Sequence, residues 1–142
     1  MKILIADDER DICEAVCKIV ERAGHTCLCV YDGALALAAF EREQPDVVIL
    51  DVMMPEVNGF DLCRDLRARD PHVPIMMLSA KSDIVDKGVG FAAGCDDYVA
   101  KPFNSQELAM RIEALLRRAR LADEAAEPRR SRSVQRLCDL EI

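Results

Sequence analysis

No apolar run in this sequence approaches the ~20 residues that a helix needs to cross a bilayer, so no membrane span has a candidate. No secretory leader is expected either. Lys2 and a few apolar residues are followed at once by Asp7, Asp8 and Glu9, and the chain is therefore expected in the cytoplasm. Positive charge is in deficit: 19 Lys and Arg stand against 26 Asp and Glu, a net charge of −7. Such an acidic body is a poor electrostatic partner for a polyanion, and any grip on DNA is expected from some other part of the protein. The seven cysteines include no C-x-x-C pair, and their number is odd. Cys13 and Cys17 fall one helical turn apart, while Cys27 and Cys29 would share one face of a strand. A metal site built from these four is the sharper reading. The plainer one is a set of small buried hydrophobes in a reducing compartment, and without a supporting histidine the sequence favours it.

What is present is the balance of a soluble domain. Of 142 residues, 51% are hydrophobic and 32% charged, enough for one domain with its own core. Short apolar runs alternate with helical patterns. Strands are expected over residues 2–6, 25–31, 46–50, 74–78 and 97–100. The unbroken apolar character of the first implies burial on both faces. The first helix, over about 10–23, would turn Ile12, Val16, Ile19, Val20 and Ala23 inward and end at Gly24. A second helix capped by Asp32 runs to about Glu43, and a third from about Phe60 to Arg69. A fourth, over about 83–93, is diluted by Gly88 and Gly90. In the fifth, Asn104 and Glu107 resemble a capping box, and Leu108, Ile112, Leu115 and Leu116 face inward as far as about Arg120. Five β-α units of this kind predict a flavodoxin-like (βα)5 fold, a doubly wound parallel sheet with strand order 2-1-3-4-5. The domain is expected over 1–121. Residues 122–135, rich in Ala, Glu, Pro, Arg and Ser, read as a solvated linker carrying a small basic cluster at Arg129, Arg130 and Arg132. Residues 136–142 alternate like the opening strand of a truncated second domain.

In such sheets ligands bind beyond the carboxyl ends of the strands. Four strand ends carry reactive groups: Asp7 and Asp8 after the first, Asp51 after the third, Ser79 after the fourth, and Lys101-Pro102 after the fifth. The first and third strands are neighbours in the expected order, so three carboxylates converge. Two carboxylates ~4 Å apart repel by about 4 kcal/mol at an effective dielectric of 20. A proton or a cation must relieve this. Hard oxygen donors favour magnesium, with manganese as a chemical substitute. A carboxylate nucleophile, a divalent ion, the Lys101 ammonium and the Ser79 hydroxyl together make a phosphoryl-transfer site. Each piece alone has an ordinary explanation: an Asp-Asp pair caps helices, a strand-end Asp or Ser belongs to a turn, and Lys-Pro is a common loop. The ordered combination is far more specific.

Asp7-Asp8, then Asp51 with Met53, Met54, Pro55 and Gly59 behind it, then Ser79-Ala80, then Lys101-Pro102-Phe103 resemble the receiver domain of two-component response regulators. The likeness covers residues 2 to about 120. Gly94–Phe103 and Glu107-Leu108 resemble the winged-helix DNA-binding (OmpR/PhoB-like) branch, and Asp139–Ile142 resembles the first strand of its effector domain. Cys95 stands where a small residue, usually Ala, is found. The resemblance implies a signalling switch rather than an enzyme, one that catalyses only its own phosphorylation and dephosphorylation. Asp51 would be the phosphoacceptor. Asp8 would hold magnesium directly, Asp7 mainly through water, and the Met53 backbone carbonyl would complete the protein ligands. Lys101 would pair with the phosphoryl oxygens, Ser79 would turn its hydroxyl to them, and Tyr98 would swing inward behind it. Pro102 would follow a cis peptide that aims Lys101 into the site. The side chains of Met53 and Lys81 stand where this family tunes the lifetime of the phosphoryl group.

The implied partners are a sensor histidine kinase and a second copy of the chain. Lys87, Asp96, Asp97, Glu107, Arg111 and Arg118 match positions of salt bridges across a two-fold interface made by the fourth helix, fifth strand and fifth helix; the plainer reading is a solvated face. DNA would be reached only through a C-terminal domain absent from this chain. A stand-alone receiver that signals by direct protein binding is the alternative, separated from it by reading the gene beyond Ile142. An aspartate-based phosphatase would need an acid where Met53 stands. A flavin-binding loop would need glycines or hydroxyls where Asp7, Asp8 and Glu9 would repel a phosphate.

Overall fold

The computed structural model describes residues 1–81 and 84–125. In chain order the elements are β1 (Lys2–Ala6), α1 (Arg10–Arg22), β2 (Thr26–Val30), α2 (Gly33–Glu43), β3 (Val47–Leu50), β4 (Met53–Met54), β5 (Val57–Asn58), α3 (Gly59–Arg69), β6 (Ile75–Ser79), α4 (Ile84–Ala93), β7 (Asp97–Ala100) and α5 (Ser105–Ala125). Five strands form one parallel sheet in the order β2-β1-β3-β6-β7. This is the expected 2-1-3-4-5 arrangement of a flavodoxin-like fold. The sequence reading missed β4 and β5, a two-residue antiparallel pair in the loop after β3 that pairs Met53 with Asn58 and Met54 with Val57.

The side-chain alternation of the strands divides the core. Ile3, Ile5, Val47, Ile49, Met76, Leu78 and Val99 pack with Val16 and Val20 of α1 and with Leu108, Ile112, Leu115 and Leu116 of α5. Leu4, Ala6, Val48, Leu50, Ile75 and Met77 face Ala36 and Phe40 of α2 and Phe60, Leu62 and Leu66 of α3. Both faces of β1 and β3 are therefore covered, which is why their sequences run apolar without interruption.

Helix ends follow local chemistry. Asp32 Oδ1 accepts the Ala34 N–H at 2.8 Å, and Asn58 Oδ1 accepts that of Phe60 at 2.8 Å. Asn104 Oδ1 accepts the Glu107 N–H at 3.0 Å, but the Glu107 carboxylate turns to Arg111, so only half of the capping box forms. The inner stripe of α1 is centred on Cys13, Val16 and Val20, with Ile12 and Ile19 at its margins; Ala23, expected inside, is exposed. α5 outlasts its expected end near Arg120 and runs through 122–125, so the expected linker at 122–135 begins inside a helix. Ala and Glu are strong helix formers, and a solvated composition does not stop a helix that is already nucleated. The rest of that linker, the basic cluster and the expected strand at 136–142 lie outside the described residues.

Candidate functional site

Strand register builds the site. Ala6 of β1 stands opposite Leu50 of β3, so the next residues, Asp7 and Asp51, emerge side by side at the end of the sheet. Both side chains are buried, Asp7 to 1% exposure, whereas Asp8 is exposed. One carboxylate oxygen from each of Asp7, Asp8 and Asp51 lies within 4.8 Å of the others. Gly59 closes the floor of the loop after β3. A Cβ there would overlap the Asp51 carbonyl oxygen, which leaves no room for a side chain.

Lys101 follows β7 across a cis peptide to Pro102. Its Nζ donates to Asp7 Oδ2 at 2.8 Å, to Glu9 Oε1 at 2.7 Å and to Asp51 Oδ2 at 3.2 Å. Only 10% of this side chain is exposed. Burial alone would favour the neutral amine, but hydrogen bonds with Asp7 and Glu9 and the charge of Asp51 outweigh it and hold the ammonium above its usual range. The remaining oxygens take backbone donors: Asp7 Oδ1 accepts the Glu9 N–H at 2.9 Å and Asp51 Oδ1 accepts that of Met53 at 3.2 Å. Even so, burial raises the Asp7 carboxyl to about 6, with Asp51 pushing the same way against Lys101 and the Glu9 N–H. This pocket carries more negative charge than its own ammonium neutralises. Beside it an open cleft is lined by Asp8, Met53, Pro55, Asn58 and Lys81. Glu9 is a pocket residue that the sequence reading treated only as a repulsive neighbour. The acidic run Asp7-Asp8-Glu9 was the available signal.

Ser79 ends β6 opposite Ala100 of β7 and is fully buried, its Oγ accepting the Lys81 N–H at 3.1 Å. Tyr98 is buried as well, with its hydroxyl donating to the Lys81 carbonyl. Burial holds that hydroxyl above the usual tyrosine range, so it remains a donor. The ring lies against Gly90 of α4, where a Cβ would come within 2.8 Å of Tyr98 Cδ2 and 3.3 Å of Cys95 Sγ. Gly90 therefore makes room for the inward ring. Gly90→Ala is expected to cost roughly 1–3 kcal/mol by overpacking, read as a lower urea midpoint. Combining it with Tyr98→Leu should restore most of the loss, and purely additive effects would show that the ring is not what the methyl meets.

The charges expected to bridge two copies are paired within one chain. Asp97 Oδ1 receives Arg111 at 2.9 Å, Glu107 receives Arg111 at 3.0 Å, and Asp96 receives Arg118 at 3.0 Å and Arg67 at 2.9 Å. Lys87 makes no ion pair with a described residue. Arg67, absent from the sequence reading, also donates to the carbonyls of Gly94, Asp70 and Val73 and so ties α3 to the turn before β7.

The cysteines depart from the plain reading. Cys13, Cys63 and Cys95 are indeed buried, but Cys17 of α1 and Cys27 of β2 form a disulfide with Cα atoms 5.4 Å apart, and Cys29 is half-buried beside them. The helical and strand spacings were legible, but the packing of α1 on the edge strand brought the two pairs together.

The family model described as "Response regulator receiver domain" matches residues 3–113. The alkaline phosphatase synthesis transcriptional regulatory protein PhoP of Bacillus subtilis is 40% identical over 126 residues, 89% of this chain and 52% of PhoP. The DNA-binding response regulator MtrA of Mycolicibacterium smegmatis is 45% identical over 126 residues, 89% of this chain and 54% of MtrA. The chain thus spans about half the length of these relatives. Among solved structures, the BeF3-activated DrrB receiver domain superposes with a TM-score of 0.76 at 34% identity, covering 82% of this chain and 97% of that one.

Proposed function

The chain belongs to the response regulator receiver domain family, and from that premise we propose that Asp51 accepts a phosphoryl group from the phosphohistidine of a sensor kinase. The observation that carries the reading is the Lys101 ammonium held between the buried carboxylates of Asp7 and Asp51 at the end of two neighbouring strands. It places a fixed positive charge beside a carboxylate nucleophile, where the oxygens of a transferring phosphoryl group need one.

The donor set fits a hard divalent cation. Three carboxylate oxygens converge, and burial, with Asp51 pushing the same way, raises the Asp7 carboxyl to about 6. Asp8, Asp51 and the Met53 carbonyl would hold magnesium, with Asp7 acting mainly through water. When bound, the ion neutralises acids and phosphoryl oxygens together. The residues do the rest. A carboxylate oxygen of Asp51 attacks phosphorus and forms the acyl phosphate, while the P–N bond to the imidazole breaks and its electron pair stays on nitrogen, which takes up a proton. Lys101 stays protonated throughout and shifts from the carboxylates towards the new phosphoryl oxygens. Incubating the chain with acetyl phosphate and magnesium should add one phosphoryl mass that base removes and acid preserves. A chelator should prevent the gain, and a gain undiminished by chelator would refute the role given to the cation.

Phosphorylation adds about −1.5 to −2 charges beside the end of β6. The Ser79 hydroxyl is expected to turn to the phosphoryl group, with the Tyr98 ring, already inward and bonded to the Lys81 carbonyl, held there, biasing the face made by α4, β7 and α5. That face would then meet a second copy. Arg118 gives Asp96 a single terminal nitrogen, which leaves guanidinium donors to spare, and Lys87 is available. Arg111→Glu would set a third acid beside Asp97 and Glu107 and should weaken phosphorylation-dependent dimerisation about tenfold (~1.4 kcal/mol). Equal dimerisation of wild type and variant by light scattering would count against this interface. The relatives named as transcriptional or DNA-binding regulators, and the half of their length that this chain spans, support transcriptional control through a winged-helix domain beyond Ile142.

A further inference from the structure

Three sulfurs that the acidic pocket does not use meet where α1 crosses β2. Cys17 lies one turn after Cys13 on α1, while Cys27 and Cys29 lie two residues apart on β2, the edge strand of the sheet. The sulfurs of Cys17, Cys27 and Cys29 all lie within 4.8 Å of one another. Cys17 is bonded to Cys27, and its Sγ also stands 2.9 Å from Cys29 Sγ. Cys17, Cys27 and Cys29 are half-buried, in contrast to the enclosed Cys13, Cys63 and Cys95. A small reagent can therefore reach this cluster, and a side chain already in contact can compete for the same bond.

We propose that Cys17 is the shared sulfur of an exchangeable cross-link, bonded either to Cys27 or to Cys29, which makes the α1–β2 edge a thiol–disulfide modification site whose co-reactants are small disulfides and thiols. Starting from free thiols, the Cys17 thiolate attacks one sulfur of the small disulfide and releases one thiol. The Cys27 or Cys29 thiolate then attacks the Cys17 sulfur of the mixed disulfide and releases the second. Two protein thiols are oxidised, and one small disulfide is reduced to two thiols. In the exchange itself, the Cys29 thiolate attacks Cys17 Sγ, the bond to Cys27 breaks, and Cys27 leaves as a thiolate that takes up a proton, with no net oxidation. Burial, with Glu21 and Glu14 nearby, favours the neutral Cys29 thiol, so its attack on Cys17 is limited by loss of the thiol proton rather than by access.

The cross-link sits on the helix that leads out of the acidic pocket. One turn earlier on α1, the Cys13 S–H donates to the Asp7 carbonyl at 3.3 Å. On β2, Cys29 pairs with Ile5, two residues before Asp7. A bond from Cys17 to β2 thus fastens α1 to the sheet at the level of Ile3, for Cys27, or of Ile5, for Cys29, on the strand that leads to the acids. Cross-linking and phosphoryl uptake are separate events, and the sulfur chemistry can be read without the second.

The test is peptide mapping of fully reduced chain treated with oxidised glutathione and then iodoacetamide. One cross-link per chain is expected, with two linked peptides, Cys17–Cys27 and Cys17–Cys29, in the digest. Cys27→Ser should move all of the link to Cys17–Cys29, Cys29→Ser should leave only Cys17–Cys27, and Cys17→Ser should lower cross-linking at least tenfold. Far-UV circular dichroism of each serine variant confirms that it is folded. A folded Cys27→Ser chain without a Cys17–Cys29 link would overturn the shared sulfur. A reduced wild-type chain that purifies with one equivalent of zinc and forms no cross-link would overturn the site as a thiol–disulfide one and make it a metal site.

Discussion

Asp51→Asn is expected to take up no phosphoryl group under conditions in which the wild-type chain takes up one. A carboxamide is not a nucleophile at neutral pH, and the loss should reach at least ~100-fold in labelling. Asparagine keeps the shape of aspartate and retains a carbonyl oxygen for the Met53 N–H or the Lys101 ammonium, so the fold and the rest of the pocket should survive. The neighbouring acids are poor substitutes. Asp7 is the more enclosed of the two buried acids, at 1% against 5% exposure, and Lys101 holds it more closely, at 2.8 Å against 3.2 Å. Asp8 is exposed, and no hydrogen bond joins it to Lys101. The measurement is intact mass after acetyl phosphate and magnesium, with base treatment to identify an acyl phosphate. Full labelling of the variant would place the acceptor elsewhere.

Asp7→Asn should stabilise the metal-free protein at neutral pH by about 2–3 kcal/mol, from a carboxyl raised from 3.8 to about 6. The sign follows from which state holds the proton. Between these two values the folded chain keeps the Asp7 proton while the unfolded chain has released it, so wild-type stability falls as pH rises through that window. Asparagine mimics the protonated acid and avoids the loss. The two proteins should therefore be nearly equally stable below pH 4 and differ most above pH 7, by urea denaturation in the presence of a chelator. Magnesium should narrow the gap, because a cation bound to the acids stabilises the wild type by mass action. A difference that stayed constant from pH 4 to pH 8 would show that charge is not its source.

The fold was legible because its signals are local. Strand runs such as Ile3–Ala6 and Val47–Leu50, the Asp32 and Asn104 caps and the Gly24 stop each act within a few residues, and alternating strands and helices leave a five-stranded parallel sheet as the natural closure. Strand-end chemistry was legible for the same reason: once the order 2-1-3 is fixed, equal ends of neighbouring strands bring Asp7 beside Asp51. The helical reach of 122–125 was missed because composition reports solvation, and a solvated helix has the same composition as a linker.

By itself, then, the sequence determined the sheet, its order and the acids at the carboxyl ends of its strands, since periodicity and register are properties of short segments. Only the tertiary structure decided which partners those side chains take: Glu9 on Lys101, Arg67 on Asp96, Tyr98 folded against Gly90, and Cys17 between Cys27 and Cys29. These pairings join residues on different elements. They depend on how a helix is turned and seated on the sheet, within an ångström or two, and no local pattern encodes that distance.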